Sequence, residues 1–362
     1  DIRIPNDATS LDYTGKTIYP GFIDSWVELS TQSKEKSPHD AHWNAKVNAR
    51  LNLSSQFNLK KKKLESLHSM GFTTAHIVPD SGVFQGKTAL IQLNNERTIL
   101  NSAVVQGISY EVDGWESDEY PNSLLGVIAL IRQTIIDANW YMEAQEKASQ
   151  FPQYNTPVKF NSDLENLGKW LIKKKPIIFE STHELSALRS LELAKEFKLN
   201  KWIKGSGYEY RHISEITKEN PFIILPLDFP VSPDLSNPYQ ALSYSTSELK
   251  HWDMAPDNPS VLKNEGITFA LTSNGLKEEE FRKNLTQTVT RGLSEKNALA
   301  SLTTIPAEKM GKSEQIGKIQ SGFLANLTIV EGNYFKNKTQ VFSTWIGGKE
   351  YPVIPKYTSD VS

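Results

Sequence analysis

The stretch GKTIYPGFID, residues 15–24, decides the fold. Residues 17–23 carry the β-branched and aromatic side chains of a buried strand, with a Pro20-Gly21 break inside it. Working outward, residues 1–13 read as a short polar strand and turn. A helix over residues 57–70 closes at Gly71, and a second buried strand follows at 73–78. Strands are expected at 88–93 and 103–106, then a long helix over 123–150 in which Leu124, Ile128, Ile131 and Ile135 recur at helical spacing. Strand and helix then alternate: strands at 176–179, 202–204, 222–225 and 267–271, with helices at 184–197, from 211, and at 278–292. Strands of about five residues alternating with helices of ten or more predict parallel βαβ units. Both a closed set of eight units and an open doubly wound sheet fit that pattern. No Gly-x-Gly-x-x-Gly follows any strand, which counts against a dinucleotide crevice. After a helix at 299–310 the tail turns β-rich (317–319, 325–330, 341–346) and is expected to pair with residues 2–11.

Bulk properties narrow the functional classes. The 362 residues are 38% hydrophobic and 23% charged with a net charge of −2, and mean hydropathy is −0.45. No global basic field exists to hold nucleic acid. The lysine runs 60–63 and 173–175 read as solvated helix faces. The chain has no cysteine, so disulfides, zinc ribbons and thiolate catalysis are excluded. No apolar run reaches the roughly 18 residues of a membrane span. A chain beginning at Asp1 without a signal peptide is compatible with a cytoplasmic or an exported (periplasmic) setting and with a fragment of something longer.

The residues then become recognisable. Gly15 to Asp24 resembles the first-strand entry of the amidohydrolase superfamily, in particular its imidazolonepropionase-like branch. A second signature runs from Ala298-Leu299 through Leu302-Thr303-Thr304-Ile305-Pro306-Ala307 to Gly317-Lys318-Ile319-Gln320-Ser321-Gly322. It continues through Ala325-Asn326-Leu327 to Trp345-Ile346-Gly347-Gly348-Lys349. The resemblance implies an α/β fold: a TIM-like (β/α)₈ barrel over residues 19–311, and a small composite β-sandwich domain from residues 1–18 and 312–362. His42-Trp43-Asn44, Gly82 to Lys87, Arg132-Gln133-Thr134 and His251 to Pro259 also resemble the degenerate first unit of long tandem amidohydrolase-like proteins. That likeness implies an active amidohydrolase unit as partner, in cis or in trans, or a homo-oligomer.

The family would use zinc or another divalent metal to activate water, held at strand ends. The first two ligand positions here hold Trp26 and Glu28; the later ones hold Glu180, Ser206 and Asn274. Tryptophan offers only an N–H donor, and asparagine cannot serve as a base near neutral pH. No cofactor is therefore expected, and the chain reads as a pseudoenzyme or structural unit beside an active hydrolase. Two alternatives stand: an atypical metal set of Glu28, Glu180 and His183, or a small-molecule-binding barrel near Trp26. Glu28, Glu180, Glu209 and Asp228 at predicted strand ends also offer the paired carboxylates of a glycosidase. His76 reads as a satisfied core histidine, and His42-Trp43 as a packing element. No Gly-x-Ser-x-Gly supports a serine nucleophile. Four Asn-x-Ser/Thr matches, at Asn52, Asn284, Asn326 and Asn337, carry no meaning for function.

Overall fold

A computed structural model describes residues 8–30, 39–96, 98–111, 119–153, 158–234, 239, 242–336 and 339–353. Within them the strands are β1 (Lys16–Pro20), β2 (Phe22–Leu29), β3 (Phe72–Pro79), β4 (Phe84–Lys87), β5 (Ala89–Gln92), β6 (Ile99–Asn101) and β7 (Gln106–Ser109). They continue as β8 (Ile177–Glu180), β9 (Lys201–Lys204), β10 (Phe222–Pro226), β11 (Phe269–Thr272), β12 (Leu327–Glu331), β13 (Val341–Ile346) and β14 (Lys349–Pro352). Hydrogen bonding groups them into three sheets, ordered β11-β10-β9-β8-β7-β4, β2-β3-β5-β6 and β1-β12-β13-β14.

The parallel core is β7 through β11 in one sheet and β2 beside β3 in the other. Among the described residues that makes seven parallel strands in two sheets, so the ladder does not run round as eight closed βα units. Between β3 and β7 the chain inserts β4, β5 and β6, which pair antiparallel. Two hydrogen-bonded seams bridge the breaks. On one side Thr272 on β11 places its hydroxyl 2.6 Å from Asp24 and 2.9 Å from the Trp26 carbonyl on β2. On the other, Thr88 exchanges backbone hydrogen bonds with Val104 and Val105, both at 3.0 Å. His76 spans the same region, with Nδ1 2.8 Å from the Ser25 carbonyl and Nε2 2.7 Å from the Thr88 hydroxyl. It is fully buried, a core histidine with both ring nitrogens satisfied.

The Pro20-Gly21 break is where the chain changes sheets. β1 joins β12 antiparallel, and β2 enters the parallel core. A side chain at position 21 would put its Cβ 2.2 Å from Thr73 Oγ1, so only glycine lets β2 lie this close to β3. Both chain ends thus build the outer sheet, but through residues 16–20 instead of 2–11. Residues 8–11 form no strand, and residues 1–7 and 354–362 lie outside the described residues, as do Asn337 and Lys338 of the last Asn-x-Thr match. The expected strand at 317–319 is a bend followed by irregular backbone. Among the described residues two helices had no counterpart in the sequence reading, Thr246–Met254 and Asn258–Asn264, and the helix expected at lysines 173–175 is Ser162–Ile172, which ends just before them in a turn. Among the described residues no helix is long and apolar enough to cross a membrane.

A second buried histidine ties the outer helices to the β9 loop. His251 stacks on Tyr208 with ring centroids 3.6 Å apart and 14° between planes, and its Nδ1 lies 3.2 Å from the Tyr210 hydroxyl. Burial holds the His76 imidazole down to about 4, against the pull of the Ser25 carbonyl. His251 is held down to about 4 by burial and then by the Arg211 charge. The unfolded chain takes up these protons near the ordinary histidine value and the folded chain does not. Stability should therefore rise with pH between about 4 and 6.5. Denaturant titrations across that window should show this slope, flattened in a His76→Gln, His251→Gln variant. An unchanged slope in that variant would contradict the assignment.

Candidate functional site

The parallel strands deliver their C-terminal ends to one side of the core, and the expected site positions gather there in part. β2 carries a bulge: Asp24 pairs with Ala75 and Val27 with Ile77, so Ser25 and Trp26 together face His76. A bulge re-aims the side chains beyond it. Trp26, 1% exposed, donates its indole Nε1–H to Glu28 Oε1 at 2.8 Å. Asn274, just past β11, donates from its amide to the same oxygen at 3.1 Å. Its backbone N–H donates to the Thr272 hydroxyl at 3.1 Å. Three of the expected positions therefore form one hydrogen-bonded set, with Glu28 as acceptor on the solvent-facing side.

Beneath that set lies Asp24, fully buried. It accepts from the Ser273 hydroxyl at 2.5 Å, from the Ser273 backbone at 3.3 Å and from the Trp26 backbone at 3.2 Å. Burial outweighs these donors and pushes its carboxyl above the ordinary aspartate value.

Glu180 ends β8, in register with Ser109 on β7 and Lys204 on β9. Burial raises its carboxyl; Lys204 opposes that and the Glu28 charge adds to it. Gln85 on β4 approaches it at 3.4 Å. Asp228, beyond β10, is also raised, by burial and Glu280, and is counteracted by the same Lys204. Lys204 thus sits between two carboxylates at the strand ends.

Other expected residues do not join. Ser206 donates its backbone N–H to Glu209 at 2.6 Å. Glu209, 3% exposed, also accepts from Gly207 at 3.1 Å and from the Asn258 amide at 2.7 Å. Its carboxylate closes the β9 loop and is no free strand-end acid. A Cβ on Gly205 would lie 2.6 Å from it. His183 is exposed at the N-cap of helix Glu184–Glu196.

Sequence reasoning missed Asp24, Gln85 and Lys204. A charged residue closing the short run Lys201-Trp202-Ile203-Lys204 was the available signal for Lys204. Asp24 sat in plain view at the end of the deciding stretch.

The model of the amidohydrolase family matches residues 158–351, over half of the chain, and the chain belongs to that family. Among solved structures it is similar to an amidohydrolase from Thermotoga maritima, with TM-score 0.76 and 22% identity over 97% of this chain and 90% of that one. It is also similar to a prolidase solved with N-methylphosphonate-L-proline, with TM-score 0.50 and 15% identity over 97% and 90%. A Xaa-Pro dipeptidase with bound methionine follows, with TM-score 0.50 and 12% identity over 95% and 90%. At such identities these likenesses establish a shared fold. No curated protein matches the chain.

The family implies a divalent metal that activates a water. The side chains at this site do not fit one. Trp26 offers only an N–H donor, and its indole N–H and the Asn274 amide N–H are both directed at the Glu28 oxygen that could otherwise ligate. Among the described residues no group of three or more His, Asp or Glu side chains is placed to hold a metal ion.

Removing Asp24 tests how the site is built. Asp24→Ala leaves the Ser273 hydroxyl and two buried N–H groups without their acceptor and should cost about 2–4 kcal/mol. Asp24→Asn keeps an acceptor oxygen and should cost less. Denaturant unfolding measures both, and equal losses would contradict a hydrogen-bonding role.

Proposed function

We propose that this chain is an amidohydrolase-fold unit whose own strand-end site does not carry out metal-assisted hydrolysis. In this reading it serves as a structural or substrate-gating partner to an active hydrolase, in cis or in trans. The observation that supports it is the Trp26–Glu28–Asn274 set. Two N–H donors converge on one carboxylate oxygen at 2.8 and 3.1 Å, so that oxygen is occupied by protein donors. In the same reading the two sheets carrying parallel strands are arcs of a (β/α)₈-type barrel over residues 19–311. The outer sheet belongs to a composite small domain from residues 1–18 and 312–362. The imidazolonepropionase-like branch and the first unit of a tandem protein remain its proposed relations.

The atypical ligand set has less support, because His183 stands exposed at a helix N-cap and no ligand group forms around it among the described residues. A small-molecule barrel finds one favourable feature, Lys204 between Glu180 and Asp228. It offers a cation to an anionic ligand among carboxylates that would repel one.

Elemental analysis of the purified protein, after a competition wash for weakly held ions, should find no stoichiometric zinc, iron or manganese. Hydrolysis of C–N substrates should stay at background when those metals are added. One or two equivalents of retained metal would overturn the proposal and send attention to Glu28, Glu180 and His183.

A further inference from the structure

A second concave site lies where helices Leu124–Gln150 and Ser162–Ile172 meet the loop at residues 39–44. The groove there has a volume of about 850 Å³, and His39, Trp43, Trp140, Glu143, Lys159 and Phe160 are among its lining residues. That volume falls within the roughly 300–1,000 Å³ of small-ligand sites. Trp43, Trp140 and Phe160 are 68%, 59% and 51% exposed. Three large aromatic rings left open around one hollow is an unusual use of apolar surface.

The walls are also held in place. Asp163 is fully buried and accepts from the His42 backbone at 2.8 Å and the Arg50 backbone at 2.9 Å, while pairing with the Arg50 guanidinium. Asn44 donates to the Tyr120 carbonyl at 2.9 Å. The Tyr120 ring then backs Trp43 at 6.2 Å and 19°, with His42 at 5.3 Å. Ser162 donates its N–H to the Asp40 carbonyl at 2.8 Å, and Asn161 donates its N–H to the Tyr141 hydroxyl at 3.1 Å. A buried carboxylate thus anchors the backbone on either side of Trp43, and the His42 and Tyr120 rings pack against its indole; a preformed wall lowers the ordering cost of binding.

We propose that this groove binds a saccharide chain. Trp43 and Trp140 would be platforms for the C–H faces of pyranose rings, and Glu143 and Lys159 would be hydrogen-bonding partners for their hydroxyls. The pattern favours a sugar because apolar ring faces stand among charged side chains, matching a ligand whose faces are apolar and whose rim is polar. A peptide entering the aromatic-lined groove as a helix or a polyproline segment is the competing occupant, and the decapeptide arm of the test below separates it. This groove is walled by two helices and loops. The proposal rests on none of the strand-end residues and is independent of the reading above.

Affinity electrophoresis tests it in native gels containing xylan, mixed-linkage β-glucan, galactomannan or soluble starch. At least one polysaccharide should retard the protein, and Trp43→Ala and Trp140→Ala should each restore free mobility. Trp43→Phe should keep part of the retardation. Trp252→Ala removes an exposed ring elsewhere (41% exposed) and should change nothing. Circular dichroism checks that each variant is folded. Unchanged mobility in all four gels would overturn the proposal. So would Trp43-dependent binding of a random decapeptide pool with no polysaccharide retardation.

Discussion

The seam between β2 and β11 is the constraint on which the arrangement depends. The two strands belong to different hydrogen-bonded sheets, and the buried Asp24 with Thr272, Ser273 and the Trp26 backbone joins them. Residues 248 positions apart in the chain are thereby held within hydrogen-bond distance. A carboxyl with no exposed surface is tolerable only where several donors meet it, and here they come from both sides of the seam. The bulge at Ser25-Trp26 depends on this anchoring too. It brings the indole up toward Glu28 while the Ser25 carbonyl turns to His76.

From that anchoring follows the chemistry the strand ends can and cannot do. In a metal site the convergent groups must be electron-pair donors, and the metal compensates their mutual repulsion. Here the compensation comes from N–H groups. Glu28 is met by Trp26 and Asn274, while Glu180 is shifted toward its neutral form by burial and the Glu28 charge, with Lys204 opposing. The carboxylates are thus kept together by protein donors and one ammonium.

How much of this could be read beforehand depended on the range of the interaction. The helix at 124–150 was legible because Ile131 and Ile135 repeat at helical spacing and are buried. Pro20-Gly21 announced a break, but only the approach of Thr73 explains why the chain changes sheets there. Helix Thr246–Met254 carried a readable signal, the Ser245-Glu248 capping box, and its short polar sequence hid it. Trp26, Glu28 and Asn274 could be named from family resemblance. Their mutual hydrogen bonds could not, since these depend on a bulge in β2 and on its approach to β11, a strand of the other sheet. Glu209 looked like a free acid at a strand end and is instead consumed by the Ser206, Gly207 and Asn258 donors. His42-Trp43, read as one packing element, divides its labour: His42 is 5% exposed and Trp43 is turned outward.

The central claim, that protein N–H groups occupy the Glu28 carboxylate in place of a metal, is tested most directly at the indole proton of Trp26. Nuclear magnetic resonance of ¹⁵N-labelled protein, assigned with Trp26→Phe, can follow that proton during a zinc titration. The account requires a downfield, slowly exchanging resonance that moves upfield in Glu28→Ala and is indifferent to zinc. A resonance that shifts and saturates with one equivalent of zinc would mean that Glu28 leaves the indole for a metal, and the account would fail.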